Sequence, residues 1–340
     1  MRYKVGIFGG SFNPLHTGHV DCILQAASQC EEFYLILSVG NHREEIDKRI
    51  RYRWLYQLTE HIGNTKILML EDDASVKSEY TLEIALKDCE DIKKRIGKKI
   101  DVAFCGSDYG DNSFWKLGYP ESEHVVFERS KESSTAIREN PYGHWDWIPD
   151  LVKPYYNKKV LLVGGESTGK STLTINLAKR FNTNYVEEAG RDISLRSGTD
   201  ELMLMEDFTE ILLRHKLNEM EALTKSNKVL FIDTDALTTQ FYLNFLESSK
   251  AEDNLALSDA IDRLNSYDLI LFLEPDVEFV QDGTRSEIIH RERMVYSEQI
   301  KQIFASHHRN MQTISGDYHQ RYLQAVEYVE ELLGGKAETR

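Results

Sequence analysis

Cysteine and proline are scarce in this chain of 340 residues, with four of one and six of the other. Cys22, Cys30, Cys89 and Cys105 form no CxxC pair and no metal-ligand spacing, which speaks against a cysteine-built metal site. Cys22 and Cys105 fall in apolar segments and read as buried, reduced thiols. No apolar run approaches the ~20 residues needed to span a bilayer. The opening "MRYKVGIFGG" lacks the apolar core and cleavage site of a signal peptide, so the cytoplasm is the expected location. Positive charge is in deficit, with a formal net charge of −15. That argues against a broad nucleic-acid or anionic-membrane surface, because phosphate backbones are held mainly by Lys and Arg. Small phosphorylated ligands stay open, since they need only a locally positive pocket. A homo-oligomer stays open.

What is present is two series of short apolar runs alternating with helical patterns, about two domains by length. The first series is Lys4–Gly9, Phe33–Val39, Lys66–Glu71, Asp101–Gly106 and His124–Glu128. Between its first two runs, Val20, Ile23, Leu24 and Ala27 recur at helical spacing and predict one buried stripe. The second series is Lys158–Gly165, Thr183–Glu188, Lys228–Asp235, Asp268–Pro275 and Met311–Gly316, with helical stretches such as Glu201–Lys225 between. Near-continuous apolar strands separated by helices predict an α/β architecture, with parallel sheets flanked by helices on both faces. Three of the prolines (Pro141, Pro149, Pro154) and two tryptophans mark a seam. We place domains at 1–145 and 158–340, joined by a linker at 146–157. Trp145, Trp147, Tyr155 and Tyr156 read as linker packing rather than a ligand platform.

After the first strand comes "GGSFNPLHTGH", Gly9 to His19. Glycines permit a sharp turn and close ligand approach, and the helix that follows presents an anion-favouring N-terminus. His16 and His19, three apart, can both face one site and bond to phosphates whose charge grows in a transition state. An HxxH zinc site is a weaker rival, since no further ligands are evident. Later, Ser133, Ser134 and Thr135 precede Arg138 by one turn. Such a cluster can simply cap a helix, or with the arginine hold triphosphate oxygens.

In the second series, Gly164–Ser171 satisfies G-x-x-x-x-G-K-[ST] between an apolar strand and a good helix, the context of a true P-loop. Gly165, Glu166, Ser167, Thr168, Gly169, Lys170, Ser171 and Thr172 are the expected ATP contacts, with Lys170 spanning to the γ-phosphate and Ser171 on Mg²⁺. Asp233 and Asp235 end an apolar strand where a magnesium or acceptor site belongs. Glu188, Arg191 and Asp192 follow the second strand. Arg285, Arg291 and Arg293 sit in a charged segment that reads as a lid carrying transition-state arginines.

The first half resembles the HxGH nucleotidyltransferase superfamily, a Rossmann-like fold. Glu132 stands where that superfamily often has an apolar residue. The likeness implies that Gly9, Gly10, Ser11, Phe12, His16, Gly18, His19, Gly106, Ser107, Asp108, Ser134, Thr135 and Arg138 contact ATP. It also implies adenylyl transfer, with His16, His19, Thr135 and Arg138 stabilising phosphates rather than shuttling protons. In order and linker text, the whole chain resembles the NadR family, bifunctional nicotinamide-nucleotide adenylyltransferases and ribosylnicotinamide kinases. That implies substrates ATP, nicotinamide riboside and nicotinamide mononucleotide, with Mg²⁺ as cofactor. It makes Arg138, Lys170 and Arg285 catalytic with the histidine pair, and Glu188, Arg191, Asp233 and Asp235 riboside contacts. Asp233 joins Ser171 at the metal, and either aspartate can be the proton acceptor. Some members begin with a helix-turn-helix domain. Here strand one starts at about residue 3, and no operator binding is expected. Two rival readings remain, another phosphorylated acceptor or a sensor with one inactive domain.

Overall fold

Each half is organised around the strand that leads into its glycine-rich loop. The structure is a computed structural model and describes every residue except 43, 75, 108–112, 129–130, 199–201, 247–250, 281–290 and 335–340. The chain divides into two compact units, Met1–Val152 and Lys153–Arg340.

In the first unit, β1 (Tyr3–Gly10), β2 (Cys30–Gly40), β3 (Thr65–Asp72), β4 (Val102–Gly106) and β5 (Glu123–Phe127) form one sheet. Its order is β3-β2-β1-β4-β5, every pair parallel. Phe8 at the centre pairs with Leu35 on one side and Phe104 on the other. The apolar run of β1 is buried on both faces, as a strand covered by helices requires. Helices α1 (Thr17–Gln29), α2 (Lys48–Thr59), α3 (Leu82–Ile96), α4 (Phe114–Gly118) and α5 (Ser134–Glu139) connect the strands or follow them. On α1 the buried positions are Ile23, Ala26 and Ala27, while Leu24 is exposed. The stripe is therefore narrower than its sequence spacing suggests, and two alanines make up most of it. Cys22 lies off that stripe and is only half-buried, whereas Cys105, inside β4, is fully covered. All four cysteines are free thiols. In the seam, Trp145 is buried and stacks on Tyr142 at 6.0 Å.

In the second unit, β6 (Lys158–Gly164), β7 (Tyr185–Val186), β8 (Val229–Asp233), β9 (Leu269–Leu273) and β10 (Gln312–Ile314) form a second parallel sheet, order β10-β9-β6-β8-β7. A short α6 (Lys153–Tyr156) precedes it. Leu162 of β6 pairs with Asp233 and with Leu271. The helices are α7 (Lys170–Arg180), α8 (Ala189–Ser197), α9 (Met205–Thr224), α10 (Ala236–Leu246), α11 (Glu252–Leu264), α12 (Arg293–Ser306) and α13 (Tyr318–Leu332). One face of the sheet packs Leu162 and Leu271 against Leu177, Ala325 and Val329. The other packs Val163 and Phe272 against Leu237 and Phe304. In both units strand order reverses beside the first strand, so the loops after β1 and β6 open where such sheets bind ligands.

Candidate active sites

In the first unit the loop between β1 and α1 is shaped by contacts that leave little room for other residues. A Cβ on Gly9 would meet the Trp115 ring at 2.8 Å, so only glycine fits. Phe12 adopts φ +48 and the Asn13–Pro14 peptide is cis. His16 caps α1, its Nδ1 accepting from the His19 backbone N–H at 3.2 Å. With Nδ1 the acceptor, a neutral His16 carries its proton on Nε2. The two imidazoles stack at 3.6 Å, and Phe12 meets His19 edge-on at 5.1 Å.

The late serine-rich segment closes on this loop. Ser133 caps α5, accepting from the Ala136 N–H at 3.4 Å. Ser134 Oγ donates to the Pro14 carbonyl at 2.8 Å. Arg138 donates to the Asn13 carbonyl through Nη1 and to Thr135 Oγ1 at 3.3 Å through Nη2. The structure thus gathers His16, His19, Ser134, Thr135 and Arg138 around one loop. Gly9, Gly10, Ser11 and Arg138 line a cleft of about 690 Å³ whose far wall includes Trp115 and Tyr119. His16 and His19 are not in that lining. Gly18 sits in the first turn of α1, Gly106 ends β4, and Ser107 follows it, its N–H donating to the Phe127 carbonyl at 3.0 Å. Asp108 lies outside the described residues.

Sequence reasoning missed Arg51. It is 1% exposed and spends its fork on the carbonyls of Ser11 (2.7 Å), Ser38 (3.3 Å) and Ile46 (3.0 Å), with Glu44 at 2.8 Å. Its place on an otherwise charged helix start gave no signal that it turns inward.

Burial pushes His16 down to about 4, and burial plus the His16 charge push His19 down to about 3. Both rings are neutral at pH 7. We expect their ring-proton NMR signals to hold the neutral position from pH 8 to 5. A midpoint near the ordinary ~6.5 for either would show a wet, charged site. The sign for stability follows. The unfolded chain takes up these protons near ~6.5 but the folded unit does so only near 4 and 3. The contribution is therefore complete above the unfolded value and is lost as pH falls toward the folded ones.

In the second unit the loop after β6 runs Gly164 to Gly169 with φ +149 at Gly164, +58 at Ser167 and +87 at Gly169. A Cβ on Gly164 would meet the Leu273 carbonyl at 2.6 Å. Lys170 Nζ lies 3.0 Å from the Gly165 carbonyl, and Ser171 Oγ accepts from Arg191 Nη2 at 3.1 Å. Glu188 stands 4.0 Å from Arg191. Together Glu166 to Thr172, Glu188 and Arg191 line a cavity of about 240 Å³.

The two aspartates part company. Alternation along a strand would place Asp233 and Asp235 on one face. Thr234 breaks it with φ +64, a rare conformation for a β-branched residue. Asp233, 1% exposed, has Ser171, Lys170, Glu188 and Arg191 as electrostatic neighbours. Burial first, then the Glu188 charge, raise it above the usual carboxylate range. Its Oδ1 is buried without a hydrogen-bond partner among the described residues. Asp235 instead accepts the N–H groups of Leu237 and Thr238, each at 3.1 Å, at the start of α10. Burial pushes it up to about 7. It caps a helix while its Oδ2, like Asp233 Oδ1, is buried without a hydrogen-bond partner among the described residues. Neither aspartate is in the cavity lining, which takes Thr234, Thr238 and Thr239 from this segment.

The structure adds residues that sequence reasoning missed. His215 on α9 lines the cavity with Phe208 and Ile211, and its Nε2 meets the Asp233 carbonyl at 3.2 Å. Burial lowers its pKa, and with Nε2 donating, Nδ1 is the acceptor. The signal was a histidine continuing the stripe Phe208, Ile211, Leu212 at helical spacing. Tyr242 also lines the cavity, with its hydroxyl 3.3 Å from Glu166. Arg293, expected to face a transition state, bonds instead to loop carbonyls, Ser167 at 2.9 Å and Glu166 at 3.3 Å. Arg285 lies outside the described residues.

Comparison with known proteins shows the family and the fold. Residues 7–166 match the cytidylyltransferase-like family and residues 159–321 the AAA domain family. The chain is 30% identical over 98% of its length to the "Trifunctional NAD biosynthesis/regulator protein NadR" of Escherichia coli (strain K12), covering 84% of that protein. It is similar in fold to a crystal structure of a NadR protein in complex with NR, with TM-score 0.80, 24% identity, and 99% and 98% of the two chains covered. A second such structure, with NAD and AMP-PNP, gives TM-score 0.79 at 24% identity over the same shares.

Proposed function

The chain belongs to the NadR family, and on that premise we propose how its two units divide the chemistry. The protein is a bifunctional enzyme of NAD biosynthesis, an adenylyltransferase and a ribosylnicotinamide kinase. The second unit phosphorylates nicotinamide riboside on its 5′-hydroxyl, and the first converts the resulting mononucleotide to NAD⁺. One observation carries this reading. Each unit puts a phosphate-binding loop at the end of its sheet's central strand, one with a histidine pair and one with Gly-Lys-Ser.

In the kinase step the riboside hydroxyl attacks the γ-phosphorus of ATP, and the bond to the β-phosphate oxygen breaks. The hydroxyl proton passes to Asp233, and ADP leaves. Lys170 exchanges its loop carbonyl for the β- and γ-phosphates. Glu188 and Arg191 face the riboside beside the apolar wall of Phe208 and Ile211. Asp235, which caps α10 beside the cavity-lining Thr234, Thr238 and Thr239, is the second carboxylate at the riboside end of the site. The donor set fits Mg²⁺. The Ser171 hydroxyl and the Asp233 carboxylate, with a buried partnerless oxygen, are hard oxygen ligands. Among the described residues no group of three or more His, Cys, Asp or Glu forms a cage, and Mg²⁺ typically takes few protein ligands beside substrate phosphates. When bound, it neutralises phosphate charge.

In the adenylyl step the mononucleotide phosphate attacks the α-phosphorus, and pyrophosphate leaves. The attacking group is already ionised and needs no base, so positioning and charge stabilisation suffice. Neutral His16 and His19 can donate to phosphate oxygens, and Arg138 and Thr135 hold the triphosphate. Gly9 to Phe12 let its backbone approach. The partners are small molecules. No described helix is long and apolar enough to cross a membrane.

The test is chromatography of the purified chain with Mg·ATP and nicotinamide riboside over time. Mononucleotide should rise first and NAD⁺ follow. Riboside left unconverted, while supplied mononucleotide still becomes NAD⁺, would show the second unit's acceptor to be misassigned.

A further inference from the structure

Among the described residues the two largest fully buried side chains are arginines, Arg51 and Arg321, each bonded to a phosphate-loop carbonyl. In the second unit the pattern extends along the loop. The Gly165 carbonyl accepts from Thr168 Oγ1 at 2.9 Å. The Glu166 and Ser167 carbonyls accept from Arg293 at 3.3 and 2.9 Å. The Thr168 carbonyl accepts from Arg321 Nη1 at 2.7 Å. Four successive carbonyls are therefore held by side chains.

Both arginines are themselves fixed from outside the loop. Arg321, 1% exposed on α13, also donates to the Gly316 and Glu274 carbonyls, each at 2.7 Å, and pairs with Asp276. Arg293, at the start of α12, donates to the Val277 carbonyl at 2.6 Å. Neither residue has a role in the reaction described above.

We propose that Arg293 and Arg321 are positioning residues for the kinase, setting the P-loop's peptide planes before ATP arrives. A trans peptide points its C=O and N–H in opposite directions. Holding the carbonyls of Glu166, Ser167 and Thr168 on the arginine side turns the N–H groups of Ser167, Thr168 and Gly169 to the other. Those N–H groups are the ones that cradle a β-phosphate in such a loop. Without the two forks, loop planes can rotate and present carbonyl oxygens to the phosphates, repelling them. The planar guanidinium suits the task, because one side chain can bond several fixed carbonyls at once, where an ammonium is a point donor.

The inference rests on the kinase reading, and its test separates the two. In the full chain, Arg293→Met and Arg321→Met are compared with Arg293→Lys and Arg321→Lys. The methionine variants should raise the Kd for ADP, by calorimetry, and the KM for Mg·ATP by about tenfold, the loss of a charged hydrogen bond. The KM for riboside should stay within about twofold, and lysine should restore part of the ADP affinity. ADP binding needs no riboside turnover, so it reports on the loop even if the acceptor is misassigned. Adenylyl transfer by the same chain is the internal control. ATP and riboside constants drifting equally would mean general loosening and overturn the proposal. So would ADP affinity within twofold of the parent in both methionine variants. If Arg321→Met does not fold, half-buried Arg293 decides alone.

Discussion

Lys170→Ala is expected to lower riboside phosphorylation by about a thousandfold, while adenylylation of supplied mononucleotide stays at the parent rate. The ammonium sits 3.0 Å from the Gly165 carbonyl inside the loop that receives the phosphates. Charge on the transferring phosphoryl group grows in a site partly shielded from water, where one missing cation costs most. Stability should hardly change, since the lysine lies at a helix start and alanine is a good helix former. Initial rates of both reactions on one preparation check this. Loss of both, in a chain with an unchanged melting curve, would sink the two-site reading.

His19→Ala should do the reverse, lowering adenylyl transfer by about a hundredfold and leaving riboside phosphorylation intact. The structure makes this variant informative. The His16 tautomer is set by the backbone N–H of residue 19, which alanine retains. What disappears is the second imidazole, with its stack on His16 and its edge contact with Phe12. A drop in rate therefore reports the His19 ring and not a misprotonated His16. Pyrophosphate release measured with saturating mononucleotide distinguishes the outcomes. A rate within threefold of the parent would show that phosphate stabilisation lies elsewhere, with Arg138 and Thr135.

Strands and phosphate loops were readable because local chemistry dictates them. Runs such as "KVLLV" bury on both faces of a parallel sheet, and glycine is demanded by space at Gly9 and Gly164. Other features depend on partners far away in sequence. The period-two pattern puts Asp233 and Asp235 on one face, and nothing in "FIDTD" announces that Thr234 turns left-handed between them. Arg51 and Arg321 look like surface charge, because arginine usually is, and Arg293 reads as a lid arginine aimed at a transition state. Their inward course depends on backbone carbonyls, which no residue letter marks. His215 was the one missed residue with a visible trace, as a polar break in an apolar helical stripe.

The arginine that holds Thr168 lies 153 positions beyond it, near the start of the last described helix. During synthesis, the phosphate motif leaves the ribosome long before that anchor. With Arg321 setting the loop as proposed, the kinase unit completes its ATP grip when α13 docks, and a half-made chain should trap little nucleotide. The same holds after synthesis. A protease cutting once at the turn around Gly316 would leave every residue of "GGESTGKS" in place, and would still unfasten the loop if the helix then dissociated.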